Sequence, residues 1–342
     1  MTGFPSHIEI EGRRIGNGEP CYIIAEAGVG HFGGLDKAFD LIELAVSAGA
    51  DVFKTQHYHT DRLVGPSAPD WRDRLRSKEL PDAAIARMQQ RCRDRGIPFL
   101  CTPHDEMALD FLDNELQVPA FKIGSGEVEN WPFLANVASR GKPVILSTGM
   151  YTLEQIREAV EIIAANGAPP LAILHCVTSY PADPATVNLQ VMQQIRQFFP
   201  GPVGYSDHTS GTAVPLAAVA LGANLIEKHI TIDKDVPNAQ DWKVSCDPAT
   251  FGPFVRDIRD TEAALGGGSK RVGDTEQRAI QWARKSLTAA RDITPGERLV
   301  PELLLAQRPG SGLPPSNLAR VAQRRARVTI PAGTPITEDM LQ

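Results

Sequence analysis

A (β/α)8 barrel followed by a small β-rich module is the fold class this sequence predicts, on three observations. Short apolar, β-branched runs alternate with helix-patterned stretches eight times over about 245 residues, a length that suits such a barrel. Almost every run ends in a side chain able to bind an anion, a metal or a hydroxyl, as the catalytic rim of a barrel requires. After the glycine-rich break G-G-G-S-K at Gly266–Lys270 the composition shifts to Arg, Pro and Thr. A doubly wound sheet would show the same alternation. However, G-V-G-H-F-G after the first barrel run is a poor dinucleotide fingerprint, with no acidic ribose ligand following it.

Taken in order, residues 1–20 are polar and Gly-rich, and H-I-E-I-E-G-R-R-I alternates like a hairpin that would cap the bottom of the barrel. The barrel strands are expected at 22–25, 52–55, 98–102, 120–123, 143–147, 171–176, 204–206 and 225–229. Helices are expected at 35–48, 83–95, 107–112, 132–139, 153–165, 189–198, 211–221 and 249–265, with 57–81 read as a long loop. The domain division is then 1–265 for the barrel, 266–284 for a partly helical linker and 285–342 for the module. That module holds two similar stretches, A-A-R-D-I-T-P-G-E-R-L-V-P-E-L-L and A-R-V-T-I-P-A-G-T-P-I-T-E-D-M-L, each read as strand, turn, short strand and helical turn. It is too small to build much core alone and is expected to dock on something.

Composition excludes several classes. With 42% hydrophobic and 22% charged residues the chain reads as an ordinary globular protein, and a net charge of −6 provides no basic stripe for nucleic acid. Five scattered cysteines without metal-type spacing point to a reduced, cytoplasmic setting. No N-terminal leader and no membrane-spanning run is recognisable.

The rim residues carry the chemistry. Strand by strand they are Glu26; Lys54 with Gln56; Thr102; Lys122 with Ser125 and Glu127; Ser147 with Thr148; His175 with Thr178 and Tyr180; Ser206 with His208; and His229. His208 and His229 end consecutive parallel strands, so they lie side by side, and two neutral imidazoles there suit a divalent cation with open coordination positions. Two ammonium groups about 4 Å apart repel by roughly 4 kcal/mol at an effective dielectric near 20. Convergence of Lys54 and Lys122 therefore favours a multiply charged anion, with Ser and Thr hydroxyls and the G-S-G backbone as added donors. A Schiff base is the competing use of the same lysines. His31, His57, His59 and His104 read as satisfied loop histidines, Trp131 and Trp242 as packing residues, and Cys101 and Cys176 as small apolar fillers.

The segments I-A-E-A-G-V-G-H-F-G, F-K-T-Q, F-L-C-T-P-H-D, F-K-I-G-S-G-E-V-E-N-W-P, K-P-V-I-L-S-T-G-M, L-H-C-V-T-S-Y-P, G-Y-S-D-H-T and E-K-H-I-T resemble, in order, the sialic acid synthases, including those making legionaminic or pseudaminic acid. The tail, with Q-R-P-G-S-G, resembles the antifreeze-like (SAF) domain that follows the barrel in that family. The resemblance implies condensation of phosphoenolpyruvate with an open-chain N-acyl amino sugar, with release of phosphate. It implies Mn2+, or Mg2+ or Co2+, on His208 and His229, and phosphoenolpyruvate held by Lys54, Thr102, Lys122, Ser125, Ser147 and Ser206. Glu127 would orient or deprotonate the attacking water, and Glu26, Gln56, Tyr180 and Asp241 would meet the sugar. Arg308 would reach that sugar from a partner subunit, in a homodimer with exchanged SAF domains. Departures from the family pattern fall on the sugar side: Gly30 for an expected asparagine, Val177-Thr178-Ser179 after His-Cys, and His57, His59 and His104 at positions where other residues are usual. A Schiff-base pyruvate aldolase and a catalytically idle, carbohydrate- or partner-binding barrel are the alternatives.

Overall fold

The computed structural model describes residues 3–236, 239 and 241–342, and the chain divides into two compact units, Met1–Gly266 and Gly267–Gln342. In the first unit an antiparallel hairpin, β1 (His7–Ile10) and β2 (Arg13–Gly16), precedes a closed barrel of eight parallel strands. These are β3 (Tyr22–Glu26), β4 (Val52–His57), β5 (Phe99–Pro103), β6 (Phe121–Ile123), β7 (Val144–Ser147), β8 (Leu171–Cys176), β9 (Val203–Asp207) and β10 (Leu225–His229). Pairing of β10 with β3, Leu225 opposite Tyr22 through His229 opposite Glu26, closes the ring. Both faces of each strand are covered, which is why the strands read as near-continuous apolar runs.

Side chains alternate across the barrel wall. One set, including Tyr22, Ile24, Val52, Leu100, Ile145 and Leu225, forms a cluster with Ile8, Ile10 and Ile15 of the hairpin, so the hairpin plugs the lower end. The alternate set packs outward against the helices: α1 (Leu35–Ala48), α4 (Asp82–Arg95), α6 (Trp131–Ser139), α7 (Leu153–Ala165), α10 (Ala213–Ala220) and α11 (Phe251–Leu265). Local chemistry sets the ends of these helices. Helix α1 stops at Gly49, which takes a left-handed φ of 79°, and α7 starts with a reciprocal capping box between Thr152 and Gln155.

The expected loop at 57–81 instead contains two short helices, α2 (Thr60–Leu63) and α3 (Pro69–Arg76). Helix α3 buries no residue, so the apolar periodicity that reveals a packed helix is missing from P-D-W-R-D-R-L-R. The single helix expected at 189–198 is replaced by α8 (Pro184–Val187) and α9 (Val191–Arg196), separated by Asn188 at a left-handed φ of 49°. Helix α5 (Glu106–Asp110) runs into a π-turn at Phe111–Glu115.

The second unit contains α12 (Asp274–Ala283), an antiparallel pair β11 (Ser286–Ala289) and β12 (Leu304–Gln307), and α13 (Leu318–Val321). Its own core joins Leu287, Ile293, Leu299, Val321, Ile330 and Ile336. The second of the two similar stretches contributes isolated bridges, Ile330 to Ile293 and Pro335 to Thr288, where a paired strand was expected.

Candidate active site

The upper ends of the barrel strands line a chamber of about 330 Å³. Its walls include Glu26, Lys54, Gln56, Thr102, His104, Lys122, Ser125, Ser147, Cys176, Tyr180, Ser206, His208, Glu227 and His229. A second chamber of about 490 Å³, nearer solvent, is lined by Phe32, Arg74, Lys78, Asp241 and Trp242 and shares Gln56, Trp71, Tyr180 and His229 with the first.

The inner chamber is wired through carboxylates. Lys54 Nζ pairs closely with Glu26, lies 3.5 Å from Glu227 and donates to Thr102 Oγ1 at 3.4 Å. Lys122 Nζ is 3.4 Å from the same Glu227, whose other contact is the Ser206 hydroxyl donating at 2.9 Å. Gln56 donates to Glu26 at 3.1 Å, and His104 Nε2 donates to Gln56 at 3.3 Å. Residue type and position alone make the two lysines unneutralised cations. The structure corrects this: Glu227 stands between them, and with Glu26 it balances their charge. Glu227 was missed although β10 encodes it plainly. In L-I-E-K-H the alternation that turns His229 inward turns Glu227 inward too, and sends Lys228 outward to pair with Asp207.

These surroundings set the ionisation. Burial opposes charge on Lys54, but Glu227 and Glu26 outweigh it and raise its pKa above the usual lysine value. Lys122 goes the other way, lowered chiefly by burial. Burial favours the neutral form of Glu227 as well, yet Lys122 and Lys54 overcome that and bring its pKa down to about 2. The inner chamber thus holds fixed, paired charges on buried side chains.

The histidine pair converges as expected, with the rings of His208 and His229 5.3 Å apart. His208 Nδ1 donates to the Val177 carbonyl at 2.8 Å, and its Nε2 lies 3.0 Å from the Tyr180 hydroxyl. His229 is held neutral, its pKa lowered to about 3 mainly by burial, and its Nδ1 is buried without a hydrogen-bond partner. The neutral imidazole of His229, with its orphaned nitrogen, beside the ring of His208 fits a divalent cation. Among the described residues, a closer group of three His/Asp donors lies elsewhere, at His57, His59 and Asp82.

Other placements differ from expectation. Glu127 is buried, but its carboxylate accepts from Asn130 at 2.6 Å and lines neither chamber; Gly126 forms the wall there. His175 faces away from the chamber and contacts the Val187 carbonyl. His104 is a chamber residue, and Trp242 lines the outer chamber with its Nε1 unpartnered, so neither is the simple loop or packing residue expected. Cys176 also lines the inner chamber, 3.6 Å from His208, whereas Cys101 is buried away from it. Trp71, 58% exposed, borders both chambers and carried no signal in its polar segment. Arg308 is exposed in the second unit, 5.8 Å from the ring of Trp282. At Gly30, an added Cβ would meet the Ala27 carbonyl at 2.9 Å, so this loop has no room for the expected asparagine without shifting.

A closed parallel barrel with a charged upper chamber, followed by a separate β-rich unit, defines the class: a barrel protein whose site lies at the strand ends. The comparisons narrow it. Residues 41–270 match the NeuB family and residues 284–342 the SAF domain. The chain is 40% identical to an uncharacterized protein of Methanocaldococcus jannaschii, over 94% of both chains. It is 38% identical to the N,N'-diacetyllegionaminic acid synthase of Legionella pneumophila, over 93% of this chain and 94% of that one. A crystal structure of N-acetylneuraminic acid synthetase from Leptospira borgpetersenii, in complex with citrate, superposes with a TM-score of 0.75 at 32% identity, covering 82% of this chain and 97% of that one. The chain belongs to the NeuB family of sialic acid synthases and carries a C-terminal SAF domain.

Proposed function

We propose that the chain is a phosphoenolpyruvate-dependent transferase that joins the enol phosphate to an open-chain N-acyl amino sugar, yielding a nonulosonic acid and phosphate. The observation that carries the reading is the lining of the inner chamber. It unites Lys54, Lys122 and the hydroxyls of Thr102, Ser125, Ser147 and Ser206, and the buried Ser147 Oγ has no protein partner. The lysines and hydroxyls would hold the carboxylate and phosphate of phosphoenolpyruvate. Gly149 supports this arrangement: its N–H donates to Ser125 Oγ at 2.9 Å, and a Cβ there would lie 2.2 Å from Thr178 Oγ1.

His208 and His229 would hold the divalent ion, Mn2+ by family resemblance. When bound, it polarises the sugar aldehyde as a Lewis acid and adds positive charge to a chamber whose lysines are already balanced. Gln56 and Tyr180, at the junction of the two chambers, would orient the sugar, with Glu26 in the inner chamber and Asp241 in the outer one. C3 of phosphoenolpyruvate attacks the aldehyde carbon, whose oxygen takes up a proton. Water then adds at C2, and the tetrahedral intermediate releases phosphate by C–O cleavage. Burial raises the pKa of Glu127, which suits a proton acceptor, but the carboxylate must leave Asn130 to reach the chamber.

The legionaminic acid synthase relative favours a diacetamido sugar as acceptor. The test is to supply phosphoenolpyruvate and Mn2+ with a panel of N-acyl hexosamines and diacetamido sugars and follow phosphate. Release that needs both a sugar and the metal supports the proposal; no release with any sugar contradicts it. One observation favours a Schiff-base aldolase instead, namely that burial lowers the pKa of Lys122. Borohydride with pyruvate would label the protein under that reading and leave it unlabelled under ours.

A further inference from the structure

His57 ends β4 with its ring directed away from the chambers, His59 follows two residues on, and Asp82 opens α4. One nitrogen from each histidine and one Asp82 oxygen lie within 4.8 Å of one another. Asp82 Oδ1 is 2.9 Å from His57 Nε2 and 3.6 Å from His59 Nε2. A tetrahedral ion with N and O ligands at about 2.0–2.1 Å keeps those ligands roughly 3.3 Å apart, between the two separations observed.

Asp105 prepares the other side of His59. Its carboxylate is 3.1 Å from His59 Nδ1 and also accepts from the backbone N–H groups of His59 at 2.8 Å and Ala108 at 2.9 Å. Nδ1–H therefore donates to Asp105, which leaves Nε2 turned toward Asp82. A carboxylate that orients the far nitrogen of a histidine is the usual support for a metal ligand.

We propose that His57, His59 and Asp82 form a second divalent-ion site, of the zinc class given its two imidazoles and one carboxylate. It lies outside both chambers. The ion clamps the two ends of the segment 58–81, with the histidines at one root and Asp82 at the other. That segment supplies Trp71 to both chambers and Arg74, Leu75 and Lys78 to the outer one. Helix α3 within it buries no residue and is held by polar contacts, Arg72 and Arg76 with Asp61 and the Tyr58 hydroxyl to the Leu75 carbonyl, so a clip across the base of the loop adds a restraint that apolar packing does not supply.

The test uses the full chain with His208→Ala and His229→Ala, so that the chamber histidines do not contribute to the reading. Zinc titrated into this protein by calorimetry should bind at one site per chain. Adding Asp82→Asn should abolish that binding; Asp82 is half exposed, and circular dichroism checks that the fold is kept. Asp105→Asn, which still suits the cap of α5, should weaken it by about 10–100-fold. Zinc should also slow tryptic cleavage in the Arg72–Arg76 stretch, and only when Asp82 is present. If the double variant binds no zinc, or binds it equally well with Asp82→Asn, the proposal is overturned and the His57–Asp82 contact is only a hydrogen bond. Neither readout depends on turnover, so failure here is distinct from failure of the proposed reaction.

Discussion

Glu227 organises the inner chamber more than any residue picked out from sequence. Its carboxylate is 3.4 Å from Lys122 and 3.5 Å from Lys54, all three being buried. Glu227→Gln would leave those lysines with only Glu26 to balance them in a low-dielectric setting. Breaking a buried charge pair from one side costs about 3–5 kcal/mol, so this variant should unfold at markedly lower urea and lose most of the proposed activity. A urea titration beside a phosphate-release assay checks both outcomes. A further consequence concerns the lysines. Lys54, kept charged by its two carboxylates, is a poor nucleophile, so imine chemistry would fall to Lys122 alone.

The elements read most accurately from sequence are those whose signals are local. Strands β8 and β10 and helices α1 and α7 have the expected bounds, and local signals mark three of them: the Gly49 cap ends α1, the Thr152 box starts α7 and His229 ends β10. Helices α2 and α3 went unread because a helix with no buried face leaves no periodic trace. Most site candidates were legible for a related reason: in a barrel the polar residues closing apolar strands meet at one mouth. Glu227 was hidden inside a strand rather than at its tip, and Glu127 was misplaced because position along the chain does not specify which way a loop carboxylate turns. At the opposite end, the hairpin plug makes its own prediction. Ile15 is fully buried among barrel side chains, so Ile15→Ala should cost about 2–5 kcal/mol in a denaturant titration while the chambers are left intact.

For the whole molecule, acid stability follows from histidines that the fold holds neutral. His31 and His104 are both lowered to about 4, mainly by burial, while in the unfolded chain they titrate near the ordinary value. The unfolded state therefore binds more protons as pH falls through about 6.5, and stability should decline from there until the folded-state pKa values are reached. Replacing His31 and His104 with glutamine should make that part of a thermal-midpoint profile measured against pH less steep. Among the described residues no helix is long and apolar enough to cross a membrane. The proposed exchange of SAF domains in a homodimer predicts complementation: mixing Arg308→Ala with Lys122→Ala subunits should restore part of the activity that each variant lacks, and no recovery would count against Arg308 acting on a neighbour's site. The central claim is that the lysine- and hydroxyl-lined chamber condenses phosphoenolpyruvate with an aldose by C–O cleavage. The most direct measurement uses phosphoenolpyruvate labelled with heavy oxygen at its bridging position, turned over with Mn2+ and an N-acyl amino sugar. The label should leave in phosphate; label retained in the sugar product, or no consumption of phosphoenolpyruvate with any such sugar, would contradict that claim.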